Sequence, residues 1–426
     1  MEKVIHQKRN QRPFDIAIVG AGGAGIMAAI RAGDFKKNII LIEKNASIGR
    51  KVLLTGKTRC NITNAADMDT FIEAFGKEGR FLRSAFYAFF NRDLIDFFRT
   101  KGLMMKTERQ GRVFPVTDRA TSVVEVLKKC LSDKKNIELL YNSRLAEIKK
   151  ENGYFGLHVA GKDKIRAKKV IFAMGGASYR VTGSSGDGFV FAKKLGHTIV
   201  PLKAALVPLK TKETWVKPLA GLSLRNIRII FKYGNKKITS RVGEIVFTHF
   251  GISGPLILDL SGRIVSLLRG CREIDLFIDL KPGLTAELLE KRLLREFAGG
   301  RGAQLKNAMK KLLPHKLIPV FLQITGASPD KKVNQASRRE RQQIAKLLKA
   351  LPLTVTGALP IEEAMVTGGG VSTKEINPRT MESKVVSGLY FAGEIIDGAA
   401  PSGGYNLQQA FSTGYLAGES AGACVK

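Results

Sequence analysis

The chain has 426 residues, and its 70 Lys plus Arg against 37 Asp plus Glu give a net charge of +33. At about 100–200 residues per domain this length predicts two or three domains, and the 44% hydrophobic and 25% charged residues exclude a wholly disordered chain. The charge is far above what solubility requires, and it predicts a polyanionic partner, which is RNA, DNA or an anionic membrane surface.

The N-terminal and cysteine patterns favour a cytoplasmic protein without stable membrane association. No stretch of about 20 residues both lacks charge and is apolar enough to read as a spanning helix. Residues 1–13 form a basic, polar arm without the apolar core of a signal peptide. The four cysteines lie far apart and form no Cys-x-x-Cys pair, which predicts reduced thiols and no metal site. The sequence does not predict an oligomeric state.

The N-terminal third begins with a β-α-β pattern. Residues 14–19 and 38–42 are apolar strands, and a helix over 24–32 lies between them. Such continuous apolar strands are typical of a buried parallel sheet. The elements predicted after them, in chain order, are helices at 81–100 and 121–132, a strand pair at 137–150 and 154–160, a strand at 169–173, strands at 227–231, 245–247 and 274–278, helices at 285–297, 306–313 and 338–351, and a last helix at 407–422.

This order predicts a nucleotide-binding domain built from both ends of the chain. The predicted parts are the arm at 1–13, the first half of that domain at 14–195, a β-rich insert at 196–282, a basic helical segment at 283–355 and the second half at 356–426. Residues 291–350 hold 15 Lys or Arg against 3 Asp or Glu. Solvated helix faces normally carry both signs, so this segment is expected to contact a polyanion. The expected contacts are Lys331, Lys332, Arg338 and Arg339.

Residues 20–25 read Gly-Ala-Gly-Gly-Ala-Gly, a G-x-G-x-x-G motif between a predicted strand and a predicted helix. Gly20 permits a tight turn, Gly22 lets the backbone approach a pyrophosphate, and Gly25 lets helix and strand pack closely. The helix N-terminus offers amide N–H groups to the phosphates. Glu43 lies at the end of the second strand, where a carboxylate accepts hydrogen bonds from a ribose diol. These features predict dinucleotide binding.

Three later segments indicate which dinucleotide binds. Residues 171–176 form a strand that ends in small residues, as backbone beside a cofactor requires. Residues 388–394, followed by Asp397, have the pattern that places an acid on a ribityl chain. Residues 403–406 open the last helix, whose N-terminal amides face the electron-rich edge of an isoalloxazine ring. Each segment alone is also typical of a Gly-rich turn, but in this order they predict FAD.

Four longer motifs resemble the signatures of one flavoprotein family, and they lie at residues 49–64, 243–255, 365–371 and 392–408. On these motifs the chain is similar to the FAD-binding proteins known as BaiN-like, YhiN-like or aminoacetone-oxidase-like. The similarity extends over nearly the whole chain after Pro13. It implies an α/β fold, in which a two-part Rossmann-like FAD domain of glutathione-reductase type is interrupted by a β-barrel-like insert and a helical segment.

One segment departs from the family pattern. Members usually have a run of glycines before the Arg-Cys-Asn sequence, and here Lys57 and Thr58 occupy part of that run. These side chains would narrow the space over the flavin, or Lys57 would reach an anionic substrate. The motifs and the resemblance together assign the following residues to FAD: Gly20, Gly22, Gly23, Ala24, Gly25, Glu43, Lys44, Arg50, Lys51, Thr55, Gly56, Arg59, Asn61, Ala173, Gly175, Gly176, Gly393, Glu394, Asp397, Gly403, Gly404, Tyr405 and Asn406.

The resemblance also implies a reaction. NAD(P)H, a transient reductant, would reduce the flavin, and hydride would then pass to an activated C=C bond. Family members are associated with unsaturated bile-acid intermediates or with a uridine of large-subunit ribosomal RNA, which becomes dihydrouridine. The charge of +33 favours ribosomal RNA or a ribosome assembly intermediate. The alternatives are a small-molecule flavin reductase or oxidase, acting on a bile-acid-like enone or an aminoketone, and a ribosome-associated binding protein with structural FAD.

Reduction of a C=C bond also needs a proton donor. Cys60 is the first expected donor, by analogy with the cysteine of transfer-RNA dihydrouridine synthases. The alternative for Cys60 is a small residue in a tight turn beside the flavin. His249 is the second expected donor, and otherwise a structural histidine of the insert. Arg59 and Asn61 are expected to orient the flavin or its loop.

Overall fold

The computed structural model of the protein describes residues 12–299 and 302–423. Most of the expected basic arm, residues 1–11, therefore lies outside the described residues. The described chain forms two compact units. The first contains the residues up to Lys203 and those from Ile361 onward, and the second is Ala204–Pro360. The strand-rich and helical parts of the middle region thus fall in one unit.

The described residues form the following strands, in chain order: β1 Phe14–Val19, β2 Ile39–Ile42, β3 Thr63–Asn64, β4 Met105–Thr107, β5 Arg112–Pro115, β6 Ile137–Leu140, β7 Leu145–Glu151, β8 Tyr154–Val159, β9 Ile165–Phe172, β10 Ile199–Ala205, β11 Leu209–Thr211, β12 Ser223–Tyr233, β13 Lys236–Thr239, β14 Gly243–Thr248, β15 Gly251–Ser253, β16 Ile274–Asp279, β17 Leu351–Ala358, β18 Val366–Val371 and β19 Leu389–Phe391.

The helices of the described residues are α1 Gly23–Gly33, α2 Arg50–Leu54, α3 Met68–Ala74, α4 Gly79–Ala88, α5 Asn91–Thr100, α6 Ala120–Ser132, α7 Asp187–Lys194, α8 Pro255–Leu268, α9 Ala286–Gly299, α10 Leu305–Ala308, α11 Ile318–Thr325, α12 Arg338–Lys349 and α13 Tyr405–Gly422. None of the helices in this part of the chain is long and apolar enough to cross a membrane.

The first unit is built on a mixed sheet with the order β6-β2-β1-β9-β8-β7, and β19 also pairs with β9. Strands β6, β2, β1, β9 and β19 run parallel, whereas β8 and β7 form an antiparallel extension of β9. Every residue of β2 is buried, as expected for a strand covered on both faces. The expected Rossmann-like α/β fold is confirmed.

Two expected elements of the first unit have different boundaries in the structure. The expected strand at 137–150 is two strands, because Asn142 adopts a left-handed conformation (φ 50°) between them. Only β7 joins the expected antiparallel pair, while β6 pairs in parallel with β2. The expected helix at 81–100 is divided into α4 and α5 at the extended Phe89 (φ −158°). Asp93 then caps α5 by accepting a hydrogen bond from the Phe90 amide at 2.7 Å.

The second unit contains a closed antiparallel barrel. Its strands pair in the ring β12-β14-β15-β11-β17-β16 and back to β12, and β13 extends β12 as a hairpin. Inward-facing residues such as Phe231, Phe247 and Leu276 are fully or almost fully buried. The ring closes only through β17, which follows the helical segment in the chain. The barrel-like insert is confirmed, and helices α9–α12 form a connection between two neighbouring barrel strands.

Candidate flavin site

The G-x-G-x-x-G turn adopts a geometry that only glycine allows at two positions. Gly20 has a φ of +100°, and a Cβ there would lie 2.5 Å from the Ala173 carbonyl oxygen. A Cβ on Gly25 would lie 1.8 Å from the Gly20 carbonyl oxygen. Gly22 is the N-cap of α1, and no side chain among residues 12–299 and 302–423 caps this helix end. The space beside Gly22 is open, since an added Cβ would meet no atom within 4 Å. An uncapped helix N-terminus at an open position fits a pyrophosphate.

The two central residues of the motif pack against the last helix. A Cβ on Gly23 would lie 3.3 Å from the Leu407 side chain, and Ala24 is 5% exposed. Gly414 of α13 approaches Ala24 so closely that an added Cβ would lie 2.2 Å from its carbonyl oxygen. Gly23 and Ala24 therefore hold the N-terminal and C-terminal halves of the unit together.

Glu43 lies buried at the carboxyl end of β2, with 7% exposure. Its Oε2 accepts a hydrogen bond from the Ala21 amide at 2.8 Å, and its Oε1 accepts from the Asn45 backbone and side-chain amides at 2.8 and 2.6 Å. A carboxylate has about four acceptor positions, so these bonds leave capacity for a ribose hydroxyl. Arg50 extends the network by donating to Asn45 Oδ1 at 2.9 Å.

Lys44 follows Glu43 and points to another segment of the unit. Its ammonium donates to Ser185 Oγ at 2.6 Å and lies 3.8 Å from the Asp187 carboxylate. Burial lowers the pKa of Lys44, although Asp187 acts in the opposite direction. The Lys44 side chain therefore fixes the 185–187 segment beside the Glu43 turn.

A second network joins Lys51, Glu394 and Thr367. Glu394 Oε2 accepts from the Lys51 ammonium at 2.8 Å, while its Oε1 accepts from the Thr367 amide at 2.8 Å and from Ser178 Oγ at 3.0 Å. Burial acts to raise the pKa of Glu394, but Lys51 and these hydrogen bonds lower it overall. An ionised Glu394 thus links α2, the loop after β9, β18 and the segment after β19.

Small residues are required where these segments meet. A Cβ on Gly176 would lie 2.3 Å from Thr367 Oγ1 and 2.8 Å from Glu394 Oε1. Gly175 has a φ of +72°, and Gly393 has a φ of +78°. The Ala173 amide donates to the Val19 carbonyl oxygen at 2.9 Å, which aligns the end of β9 with the end of β1.

Asp397 is the less saturated of the two C-terminal acids. It is 8% exposed, and its amide donates to the Val371 carbonyl oxygen at 3.0 Å. Burial raises the pKa of Asp397, and the neighbouring Glu78 carboxylate raises it further. Asp397 therefore has more acceptor capacity left for a ribityl hydroxyl than Glu394, which already accepts three hydrogen bonds.

The segment 403–406 forms the N-terminus of α13. A Cβ on Gly404 would lie 2.2 Å from the Thr63 carbonyl oxygen, so this position requires glycine. Gly403 accepts a hydrogen bond from Asn64 Nδ2 at 2.9 Å. The Tyr405 ring packs edge-on against Phe71 with 4.7 Å between centroids. Asn406 exchanges two 2.9 Å hydrogen bonds with the Ala400 backbone, which closes the preceding loop.

Side chains of the 55–61 loop form hydrogen bonds with other residues of the first unit. Thr55 Oγ1 donates to the Val52 carbonyl oxygen at 2.7 Å. Arg59 donates to the carboxylates of Glu108 at 2.8 Å and Asp118 at 3.2 Å, and it lies 4.1 Å from the Phe114 ring centre. These contacts show Arg59 fixing the loop. Asn61 of the same loop accepts a hydrogen bond from the Val113 amide at its Oδ1, at 3.1 Å.

The backbone of the 55–61 loop is strained. Gly56, Lys57, Thr58 and Cys60 all have φ between 57° and 66°, which is unusual for residues with a Cβ. The two residues that replace the expected glycines thus adopt a glycine-like conformation.

The structure places the two expected proton donors in different environments. Cys60 has 0% exposure and belongs to the hydrophobic core of the first unit. Burial raises the pKa of its thiol to about 12, which Thr55 offsets only in part. His249 is exposed, in the turn between β14 and β15 of the second unit. The burial of Cys60 by protein atoms alone favours a structural role for its thiol.

The four expected RNA contacts differ in their partners. The Lys331 ammonium bonds to both carboxylate oxygens of Glu340, at 2.8 and 2.9 Å. Lys332, Arg338 and Arg339 are exposed. Lys331 is therefore part of the packing of α12, whereas the other three project into solvent.

Sequence reasoning missed two polar anchors of the site, Ser178 and Thr367. Thr367 lies in one of the family motifs, at 365–371, but a threonine in a Gly-rich strand gives no local signal of its partner. Its hydroxyl accepts from the Ala177 amide at 2.8 Å and the Ser178 amide at 3.1 Å. These contacts span nearly 200 residues and depend on the fold.

Comparisons with known proteins agree with this geometry. The chain is 32% identical to the 3-dehydro-bile acid delta(4,6)-reductase of Clostridium scindens, over 95% of this chain and 98% of that protein. It is 30% identical to the ribosomal RNA dihydrouridine synthase of Escherichia coli, over 94% of this chain and 96% of that protein. Among solved structures, the open conformation of a flavocytochrome c3 fumarate reductase matches with a TM-score of 0.52 and 17% identity, over 97% of this chain and 78% of that one. That last likeness shows the fold alone.

The fold, the glycine turn and these relatives identify a Rossmann-type FAD-binding protein related to oxidoreductases. The match to a family extends over residues 14–420, which is almost all of the described chain. The chain belongs to the HI0933-like protein Rossmann domain family.

Proposed function

We propose that the protein uses NAD(P)H and FAD to reduce a uridine of large-subunit ribosomal RNA to dihydrouridine. The observation that carries the proposal is the net charge of +33, in a chain whose Escherichia coli relative is named a ribosomal RNA dihydrouridine synthase. A polyanionic substrate is bound largely through phosphate contacts from Lys and Arg. A steroid acid has no comparable need for positive charge.

FAD, when bound, supplies the two-electron chemistry of the C=C reduction. The residues of the chain would bind and orient it. The uncapped amides of α1 would hold the pyrophosphate, Glu43 would accept from the ribose, and Asp397 would accept from the ribityl chain. The Lys51–Glu394 ion pair would keep the surrounding segments in register.

A small-molecule reductase is the second candidate, and the 32% identity to a bile-acid reductase favours it. Both candidates need the same FAD site, so that site does not distinguish them. The distinction lies in the substrate. If the second candidate is correct, the purified protein reduces an unsaturated 3-oxo steroid acid with NAD(P)H, and ribonuclease treatment does not change the rate.

The test of the proposal is nucleoside mass spectrometry of ribosomal RNA from cells with and without this gene. We expect dihydrouridine to disappear from the large-subunit RNA of the deletion strain and to return with the intact gene. Complementation with Gly25→Ala is the matched control. The added Cβ would lie 1.8 Å from the Gly20 carbonyl oxygen, so the variant should lose FAD and fail to restore the nucleoside.

Equal dihydrouridine in both strains would overturn the RNA proposal. In that case, NAD(P)H-dependent bleaching of the bound flavin decides between the remaining readings. Bleaching followed by reoxidation with a steroid enone supports the small-molecule reductase. A flavin that NAD(P)H does not reduce supports a binding protein with structural FAD.

A further inference from the structure

The second unit contains a long segment without a single acidic residue. Residues 214–243 hold seven Lys or Arg and no Asp or Glu. Most of them lie on the hairpin formed by β12 and β13, called here the β12–β13 hairpin (residues 223–239). The seven are Lys217, Arg225, Arg228, Lys232, Lys236, Lys237 and Arg241.

The hairpin presents its charges at the edge of the barrel sheet. β13 pairs with β12 and is the end strand of the sheet order. A two-residue connection joins the strands, and Gly234 there adopts a positive φ of 52°, as tight hairpins with glycine at the first central position require. Lys232, Lys236 and Lys237 are all exposed.

Several cations of the segment have acidic or aromatic neighbours within the unit. Arg241 lies 3.2 Å from the Asp259 carboxylate, and Arg225 lies 3.8 Å from Glu244. Lys232 is paired in register with Asp275 of β16, and its ammonium lies 5.0 Å from the Phe277 ring centre.

Two lysines at the hairpin end have no such compensation. Among the described residues, neither Lys236 nor Lys237 has a side-chain hydrogen bond or an acidic partner. Lys237 lies directly opposite Lys232 in the antiparallel register. Like charges in directly opposite positions destabilise a sheet. Asp275 lies opposite Lys232 on β16, but no acidic residue of the described chain is paired with Lys237.

Edge strands often carry lysine to prevent pairing with another chain. That role needs only a charge of either sign, and it does not account for thirty residues without an acid. The basic helical segment is different, because its Lys306, Lys311 and Lys331 each bond to an acid of the same unit. The hairpin end thus resembles the exposed Lys332, Arg338 and Arg339 of that segment and differs from these three paired lysines.

We propose that the β12–β13 hairpin binds the phosphate backbone of RNA through Lys236 and Lys237; this inference rests on the proposed function. Phosphates between the lysines would relieve the repulsion between Lys232 and Lys237 and complement their charge. An anionic membrane fits the hairpin less well, because none of its large apolar side chains is among the exposed ones, and membrane-surface segments insert apolar residues.

The test compares two double variants of the full-length, FAD-loaded protein. Lys236→Glu/Lys237→Glu changes the hairpin, and Lys128→Glu/Lys129→Glu makes the same charge change at two exposed lysines of α6 in the first unit. Binding to a labelled fragment of large-subunit ribosomal RNA is measured by fluorescence anisotropy at several salt concentrations. Lys236→Arg/Lys237→Arg is the conservative variant.

We expect the hairpin variant to lose on the order of tenfold in RNA affinity, with a log Kd against log [salt] slope shallower by about 2. The α6 variant should keep the wild-type slope, and the Arg variant should bind like the wild type. Unchanged flavin absorbance and an unchanged or higher Tm would exclude unfolding as the cause.

Three results would overturn the inference. Wild-type affinity in the hairpin variant would remove the hairpin from RNA binding but leave the proposed function standing. Equal losses in both Glu variants would show that only net charge matters. Loss of binding to anionic phospholipid vesicles, with RNA affinity unchanged, would assign the hairpin to a membrane surface. A wild-type protein that binds no RNA at all would instead overturn the proposed function itself.

Discussion

Cys60 is a buried thiol in a left-handed backbone position, and both features bear on its chemistry. Its pKa is raised to about 12 by burial. At pH 8 the thiol therefore stays protonated and shielded, and only the thiolate reacts with alkylating agents. We expect iodoacetamide to leave Cys60 unmodified in the native protein and to label it after unfolding. Peptide mass spectrometry measures both states, with the partly exposed Cys271 as the reference.

The same burial predicts the outcome of Cys60→Ala. The variant should lose roughly 1–2 kcal/mol of unfolding free energy, as is common for a truncated core residue, and should retain its turnover per bound flavin. Loss of a general acid would instead lower turnover by about 10²–10⁴-fold. A decrease of that size at unchanged flavin content would assign proton donation to Cys60, and the parallel variant His249→Gln tests the second expected donor.

Thr58 stores backbone strain that glycine would release. Its φ is +66°, and a left-handed conformation costs an L-residue roughly 1–2 kcal/mol. Glycine avoids this cost but loses roughly 0.5–1 kcal/mol to the flexibility of the unfolded chain. We therefore expect Thr58→Gly to raise the unfolding free energy by about 0.5–1 kcal/mol, measured by urea denaturation. Thr121→Gly, an exposed threonine within α6, should destabilise. A lower unfolding free energy in both Thr58→Gly and Thr121→Gly would contradict the claim that the Thr58 backbone is strained.

At the scale of elements, two lysines that are neighbours in the chain have different roles, because only Lys331 bonds to helix α12. Lys331 bonds to Glu340, whose carboxylate also accepts from the Ser337 amide at 2.7 Å in the capping box of α12. Lys332 is exposed and makes no such bond with any residue that the structure describes. We expect Lys331→Gln to lower the unfolding free energy by about 0.5–1 kcal/mol and to leave RNA affinity unchanged. Lys332→Gln should leave the unfolding free energy unchanged and lower RNA affinity. Lower RNA affinity in Lys331→Gln alone would contradict this assignment.

The pH dependence of the Lys331–Glu340 pair follows from the direction in which the pKa of Glu340 is shifted. Lys331, together with the Ser337 amide, lowers the pKa of Glu340. A carboxyl with a lowered folded-state pKa stabilises the protein above its ordinary pKa of about 4.3, and the contribution is lost as the pH falls through the lowered value. The stability difference between wild type and Lys331→Gln should therefore be present at pH 7 and disappear in acid.

Sequence patterns predicted the elements with strong local signals and missed those that depend on distant contacts. The β1-α1-β2 unit has apolar strands, a glycine turn and an acid at a fixed spacing, and all of these are local. Helix α8 lies within the segment expected to be β-rich, and the sequence predicted no helix there, although Asp259 and Arg263 interrupt its apolar residues at helical spacing. The separation of residues 137–150 into β6 and β7 depends on Asn142, and no sequence pattern predicts its left-handed backbone conformation.

At the scale of the whole molecule, the barrel shows the same limit. Strand β17 begins at Leu351, yet it closes a ring with β11 and β16. Pairings across more than 70 residues leave no periodic signal in one sequence. The flavin site divides in the same way. The turn at 20–25 and Glu43 could be located from spacing alone, whereas the contacts of Glu394 with Lys51, Ser178 and Thr367 required the fold.

The excess of positive charge also predicts two salt responses of opposite sign. A net charge of +33 destabilises the compact state by self-repulsion, and salt screens charges more than about 10 Å apart at 0.1 M. We therefore expect the Tm of the RNA-free protein to rise by a few degrees between 20 and 200 mM KCl.

Ribosomal RNA should change the sign of that response. RNA stabilises the folded state by binding to it, and salt weakens phosphate contacts, so the RNA-induced gain in Tm should be largest at 20 mM KCl and shrink by 200 mM. Differential scanning fluorimetry with and without a ribosomal RNA fragment measures both responses, and polyvinyl sulfate separates general polyanion binding from RNA binding. If the Tm of the RNA-free protein does not change with KCl concentration, ion pairs such as Lys311–Glu296 already neutralise the local field. The excess positive charge would then not by itself favour a polyanionic partner.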